Sequence, residues 1–192
     1  MQCLRKGSGN CLAVNGDNRY HAIFNGKKCF AVCPSDIATA LTALDAQIKV
    51  ASFNGERKIS VSDFFTPLKI ALASDEMITE IEVPKSQLQK KQTFLKFTIR
   101  RPVDFALVSV AAIITVEDGG CSDARIVLGA VASSPIRAHK AEEFLIGRSL
   151  DPEAASGAAE AAVSNAKPLR KNAYKIKILK ALLKRAILSC AG

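Results

Sequence analysis

Four of the chain's six cysteines, Cys3, Cys11, Cys29 and Cys33, fall within its first 33 residues. Thiols so placed have three chemistries open to them: disulfide pairing, ligation of zinc or an iron–sulfur cluster, or inert burial. Four thiolates suffice for tetrahedral zinc, but the spacing lacks paired C-x2–4-C knuckles at both ends. A disulfide framework needs an oxidising compartment, and the N-terminal stretch QCLRKGSGN has no hydrophobic export signal. A second chemistry-bearing set is cationic. Eight basic residues and no acid lie between Lys167 and Arg185, and they supply nearly all of the formal charge of +9. Such a face can contact phosphate, stay solvated, or dock an acidic partner subunit. No aromatic interleaving or nucleic-acid motif accompanies it.

The elements that must position these residues follow from patterning. Tyr20–Phe24 and Phe30–Val32 read as two short strands around an Asn25-Gly26 turn. Ser35 is an N-cap for a helix over Asp36–Ala46, with Asp36 at its positive end and Ile37, Leu41 and Leu44 at helical spacing. Ile48–Phe53 and Arg57–Val61 alternate around Asn54-Gly55 as a hairpin. Ser62–Phe65 makes one helical turn ended by Pro67. Met77–Val83 is a strand with Met77, Thr79, Ile81 and Val83 on one face and Ile78, Glu80 and Glu82 on the other. Pro84 stops it, and Lys85–Gln92 is a polar linker. Phe94–Arg100, Phe105–Val116 and Ala124–Ala132 then read as three antiparallel strands, the last two joined by an Asp118-Gly119-Gly120 turn. Helices over Arg137–Ile146, Pro152–Ser164 and Asn172–Ser189 complete an α+β unit. No apolar run approaches the roughly 20 residues of a membrane span.

The order of these stretches resembles the FAD-binding (medium) subunit of the molybdenum hydroxylases, the xanthine dehydrogenase and carbon monoxide dehydrogenase superfamily. The residues that carry the resemblance are CFAVCPSDIATALTALDAQI, DFF, SDEMITEIEVP and FLKFTIRRPVDFALVSVAA, followed by IVLGAVASSPIRAHKAEEFLIG and KPLRKNAYKIKILKALLKRAI. NRYHAIF and the NAYK-type stretch are similar to the bacterial aldehyde oxidoreductase flavin subunits. The resemblance implies the second half of a PCMH-type FAD-binding domain over residues 1–86, with a cysteine-rich insertion at 1–33. A CO-dehydrogenase-flavoprotein-like C-terminal domain over 91–192, a three-stranded sheet plus three helices, would follow it.

The same resemblance implies roles for individual residues. Asp36 matches the acid of the family's Ser-Asp pair that bonds FAD, Ile78 an aliphatic residue packed near the isoalloxazine ring, and Lys96 a lysine at the ring's polar edge. Cys3, Cys11 and Cys29 match the last three of four ligands of an extra 4Fe-4S cluster, whose first ligand would lie upstream of Met1. Cys33 falls where relatives usually carry His and is not counted as a ligand, and Cys121 and Cys190 are structural or incidental thiols. Two glycine-rich FAD-diphosphate loops of the family have no counterpart in the chain, which reads as an N-terminally truncated subunit. The implied partners are a molybdopterin-binding large subunit and a 2Fe-2S small subunit, with neither nucleic acid nor membrane. The implied compartment is the cytoplasm, or the periplasm by co-export with a partner. The competing readings are a remnant that binds no flavin and acts at most as a subunit-interaction module, and a basic nucleic-acid-binding protein.

Overall fold

Ser35 has extended backbone and its hydroxyl accepts the Ala38 N–H, which sets the start of helix α1 (Asp36–Ala43). The structure is a computed structural model, which describes residues 3–7, 9–24, 29–66, 69–87, 90–101 and 103–191. Helix α1 ends three residues before the expected Ala46. Asp45 turns the chain with φ of +56°, and the Ala46 N–H returns to the Leu41 carbonyl.

The chain then enters an antiparallel three-stranded sheet in the order β2-β1-β3, made of β1 (Gln47–Ser52), β2 (Gly55–Ser60) and β3 (Met77–Glu82). Gly55 occupies the turn with φ of +124°, as the Asn-Gly signal requires. Ile48, Val50 and Ile59 bury one face against Val61 and Phe64 of the short helix α2 (Val61–Phe64). Strand β3 departs from its expected two-faced pattern. Its register against β1 shifts between Lys49 and Val50, so Thr79 is left over between Ile78 and Glu80. Such a bulge interrupts the alternation, and Met77, Ile78 and Ile81 all stand exposed.

A second antiparallel sheet runs β4-β5-β6-β7, comprising β4 (Lys91–Phe97), β5 (Val108–Glu117), β6 (Gly120–Gly129) and β7 (Ile136–Arg137). The expected three strands become four. Residues 136–137 pair with β6 before the next helix can begin, and the Ala138 N–H goes to the Ile126 carbonyl. Helices α3 (His139–Leu145), α4 (Pro152–Val163) and α5 (Tyr174–Ser189) follow. Asp151 caps α4 through the Ala154 N–H, with Pro152 in the first turn where its missing donor does no harm. These three helices bury Val108, Val110, Ala112 and Ile114 under Leu145, Leu179 and Leu183. Helix α1 covers the opposite face through Ala43 against Ala111, Ile113 and Val127. Gly129 allows the closest approach: a Cβ there would lie 2.2 Å from Ser109 Oγ and 2.3 Å from Thr39 Oγ1.

The two short strands expected at Tyr20–Phe24 and Phe30–Val32 do not form: Tyr20–Phe24 runs through a turn and bends, and Phe30–Val32 carries no ladder. The Ala22 N–H reaches the Phe30 carbonyl, while the N–H groups of Ile23 and Phe24 share the Val131 carbonyl. Ile23 and Phe24 thereby join the core beneath the second sheet. The predicted Asn25-Gly26 turn and the helix stop at Pro67 lie outside the described residues. The linker expected over 85–92 holds a 3-10 turn at Lys85–Gln87, and β4 is already under way at Lys91.

Candidate functional site

Asp36 opens α1 and Lys96 lies on β4, sixty residues later, yet Lys96 Nζ meets Asp36 Oδ2 at 2.6 Å. The N-cap at Ser35 fixes where the carboxylate leaves the helix. The antiparallel pairing of Lys96 with Ser109 fixes the lysine. Both side chains are about one-third exposed, but Asp36 Oδ1 is itself buried and has no hydrogen-bond partner. A buried carboxylate oxygen without a donor is a costly vacancy that a bound N–H or O–H group would relieve.

Two clefts are lined by residues near this pair in sequence, Pro34 and Ile99 among them, although neither Asp36 nor Lys96 lines either one. The chain just before Ser35 and the chain just after β4 enclose about 450 Å³ between Tyr20, Val32, Pro34, Ile99, Phe105 and Leu107. The Leu107 N–H on the Phe97 carbonyl closes the loop that carries these residues. Arg100 forks onto Asp104 within the same loop, at 3.2 and 2.8 Å, and holds the Asp104 carboxyl down at about 2. A second cleft of about 570 Å³ shares Val32 and Pro34 and extends to Phe65, Lys69 and Ile70. Largely apolar walls with a few polar groups, here Arg100 and Asp104 in one cleft and Lys69 in the other, are the usual lining of a small-molecule site. The aromatic and Arg–Asp side of the wall, Tyr20, Arg100, Asp104 and Phe105, lies within the stretches NRYHAIF and FLKFTIRRPVDFALVSVAA, but sequence reasoning gave none of the four a site role.

The other expected site residues are placed differently. Ile78 stands on the exposed edge strand β3, part of neither cleft. Cys3, Cys11, Cys29 and Cys33 are half-buried free thiols. Among the described residues no group of three or more His, Cys, Asp or Glu side chains is placed to hold a metal ion. The structure therefore does not bring Cys3, Cys11 and Cys29 together as a cluster site. Cys33 is engaged through its backbone, which exchanges hydrogen bonds with Ala130 and Ala132. Cys121 and Cys190 are buried core thiols, as expected, and burial pushes both pKa values up.

A buried polar clasp holds the wall in place. Lys175 in the first turn of α5 has no exposure, and its ammonium donates to the carbonyls of Ala130 at 2.6 Å and His21 at 3.2 Å. Asn172 donates to the carbonyls of His21 and Ala22, Asn18 accepts the Lys171 N–H, and the Tyr174 hydroxyl donates to Arg19. The two motifs NRYHAIF and NAYK are thus bonded to each other. With no carboxylate beside it, burial lowers the Lys175 pKa to about 8.

Comparison with known proteins places this geometry in a family. Residues 93–190 match the CO dehydrogenase flavoprotein C-terminal domain, and residues 12–86 match the FAD binding domain in molybdopterin dehydrogenase. The chain is 33% identical over 185 residues to the aldehyde oxidoreductase FAD-binding subunit of Escherichia coli K12, covering 92% of this chain and 54% of that protein. It is 36% identical over 120 residues to the glyceraldehyde dehydrogenase medium chain of Sulfolobus acidocaldarius, covering 62% and 42%. The chain thus spans about half the length of these curated relatives. Among solved structures, quinoline 2-oxidoreductase from Pseudomonas putida 86 superposes with a TM-score of 0.75 at 26% identity, over 94% of this chain and 67% of that one. A Cu,Mo-CO dehydrogenase gives a TM-score of 0.72 at 25% identity, over 82% and 57%.

Proposed function

Since this chain belongs to the family of FAD-binding medium subunits of molybdenum hydroxylases, we propose that it forms the ring-side wall of a flavin site in an electron-transfer subunit. The observation that carries this reading is the Asp36–Lys96 pair with its unpartnered Asp36 Oδ1; the apolar cleft is lined by Pro34 and Ile99, two residues before Asp36 and three after Lys96. The residues present fit the polar edge of a flavin ring. Asp36 Oδ1 would accept a hydrogen bond from the ligand, and Lys96 would present positive charge. Ile78 is proposed as an aliphatic contact to the ring, on the strength of its motif SDEMITE alone. When bound, FAD supplies one- and two-electron redox chemistry, and the protein's share is to orient and tune it.

The assembly proposed around it has a molybdopterin-binding large subunit that oxidises substrate and a 2Fe-2S small subunit that relays electrons. FAD passes them to an external acceptor. The division into a flavin part over 1–86 and a C-terminal part over 91–192 belongs to the same proposal, as does a cytoplasmic location. No described helix is long and apolar enough to cross a membrane. A 4Fe-4S cluster on Cys3, Cys11 and Cys29 has no support beyond the resemblance, since among the described residues no three such side chains are grouped to hold a metal ion, and no step is routed through one.

Flavin titration of the chain tests the proposal. Lumiflavin, which has the ring without the diphosphate, should bind, and Asp36→Asn combined with Lys96→Met should weaken it on the order of tenfold, about 1.4 kcal/mol. Undiminished ring binding by that double variant would remove the pair from the site.

A further inference from the structure

The ion pairs of this molecule are unevenly spread. Lys49, Arg57, Lys58, Lys90, Arg125 and Arg137 each meet a carboxylate within 4 Å. Between Lys167 and Arg185 the pattern breaks. Of the eight cations there, Lys180 alone among the described residues pairs with a carboxylate, that of Glu160, and Lys175 is buried on carbonyls. Lys167, Arg170, Lys171, Lys177 and Arg185 are exposed. Outside this segment the chain is within one charge of neutral, so the segment's eight cations carry nearly all of its excess.

They fall in two groups, one along α5 and one just before it. Lys177, Ala181, Arg185 and Leu188 recur at helical spacing along α5, all exposed, over roughly 17 Å of the helix. Lys167, Arg170 and Lys171 precede the helix, next to the positive end of its dipole, and its first turn holds no acid. Like charges gathered there are unfavourable in the isolated chain, so the fold itself gains nothing from them.

We propose that the exposed face of α5, with the 167–171 turn, is a docking surface for an acidic patch on a partner subunit of the same oxidoreductase assembly. The occupant is a protein surface because apolar Ala181 and Leu188 alternate with the cations, giving small apolar contacts inside a charged surround. Tyr174, exposed at the head of the stripe, has its hydroxyl committed to the Arg19 carbonyl, and the apolar area is too small for a bilayer. The inference rests on the flavin-subunit reading for the identity of the partner, and on the charge pattern alone for the location of the surface.

The experiment is co-expression of the chain with the molybdopterin and 2Fe-2S subunits of its assembly, followed by affinity measurement at low and high salt. The comparison is with Lys177→Glu combined with Arg185→Glu, two exposed positions whose exchange should leave the unfolding midpoint in place. The expected result is a salt-weakened wild-type complex and a further loss on the order of tenfold in the variant. A variant that assembles as well as wild type overturns the docking surface and leaves the flavin reading standing. A wild-type chain that binds neither subunit overturns the proposal together with the partner reading. Tight binding to duplex DNA with a steep salt slope, in place of the subunits, overturns it in favour of nucleic acid.

Discussion

Replacing Lys175 by methionine isolates the physics of the buried clasp. The ammonium has zero exposure and faces two carbonyls, with no carboxylate to share its charge. Desolvation therefore lowers its pKa from 10.5 to about 8 in the folded chain. Between those values the unfolded chain holds a proton that the folded chain has released, so stability from this group rises as pH climbs from about 8 to 10.5. Outside that window its contribution is flat. At about 1.4 kcal/mol per pH unit the whole window is worth about 3 kcal/mol. Methionine removes the titration and strips the Ala130 carbonyl of its donor, a pH-independent loss of about 1–3 kcal/mol. The His21 carbonyl keeps the Asn172 amide. The assay is urea unfolding of both proteins by far-UV circular dichroism, with reductant, at pH 7, 8, 9 and 10. Stability of wild type minus variant should grow by about 2–3 kcal/mol across that series. Cys121, Cys190 and Tyr174, whose pKa values burial raises, contribute in the opposite direction in both proteins and cancel in the difference. A difference that stays constant with pH would refute the account of an uncompensated buried cation.

Two further substitutions probe the packing that holds the candidate site. Gly129→Ala forces a Cβ into Ser109 and Thr39, so α1 must lift from β6; we expect a loss of about 1–3 kcal/mol, read as a lower thermal midpoint, and an unchanged midpoint would show that α1 is not seated there. Glu142, which accepts the Ile126 N–H at 2.8 Å and grips Arg137, should matter more than any exposed carboxylate. Glu142→Ala should cost about 2–4 kcal/mol and speed hydrogen exchange at Ile126, whereas Glu142→Gln, which keeps an acceptor, should cost less.

Local chemistry was legible wherever one residue decides the local geometry. Ser35 and Asn54-Gly55 announced their cap and turn, and the structure uses each as expected. Long-range placement was not. The pairing of residues 136–137 with β6 depends on an edge left open by a strand some ten residues earlier, which no local window contains. The bulge at Thr79 alters the facing of β3 although its alternation looked regular, because register is a property of two strands. For the site, Asp36 and Lys96 came from a resemblance, and only the fold shows that they touch. Lys175 could have been suspected from spacing. It stands four residues before Leu179 and eight before Leu183, on the stripe that α5 buries. A lone lysine on an apolar stripe is ordinarily a snorkelling side chain, and its carbonyl partners are more than forty residues away in sequence.

Helix α1 precedes the first sheet in sequence but is seated on the back of the second one, tied at its ends by Asp36–Lys96 and Asp45–Arg125. Ile23 and Phe24 likewise lend their bulk to the later core. A break in the backbone between β3 and β4 would therefore not release two self-sufficient pieces. The latter piece, made alone, would lose the lining over Ala111, Ile113 and Val127 and present a sticky bare surface, while the two pieces together have what they need to reassociate as a split protein does.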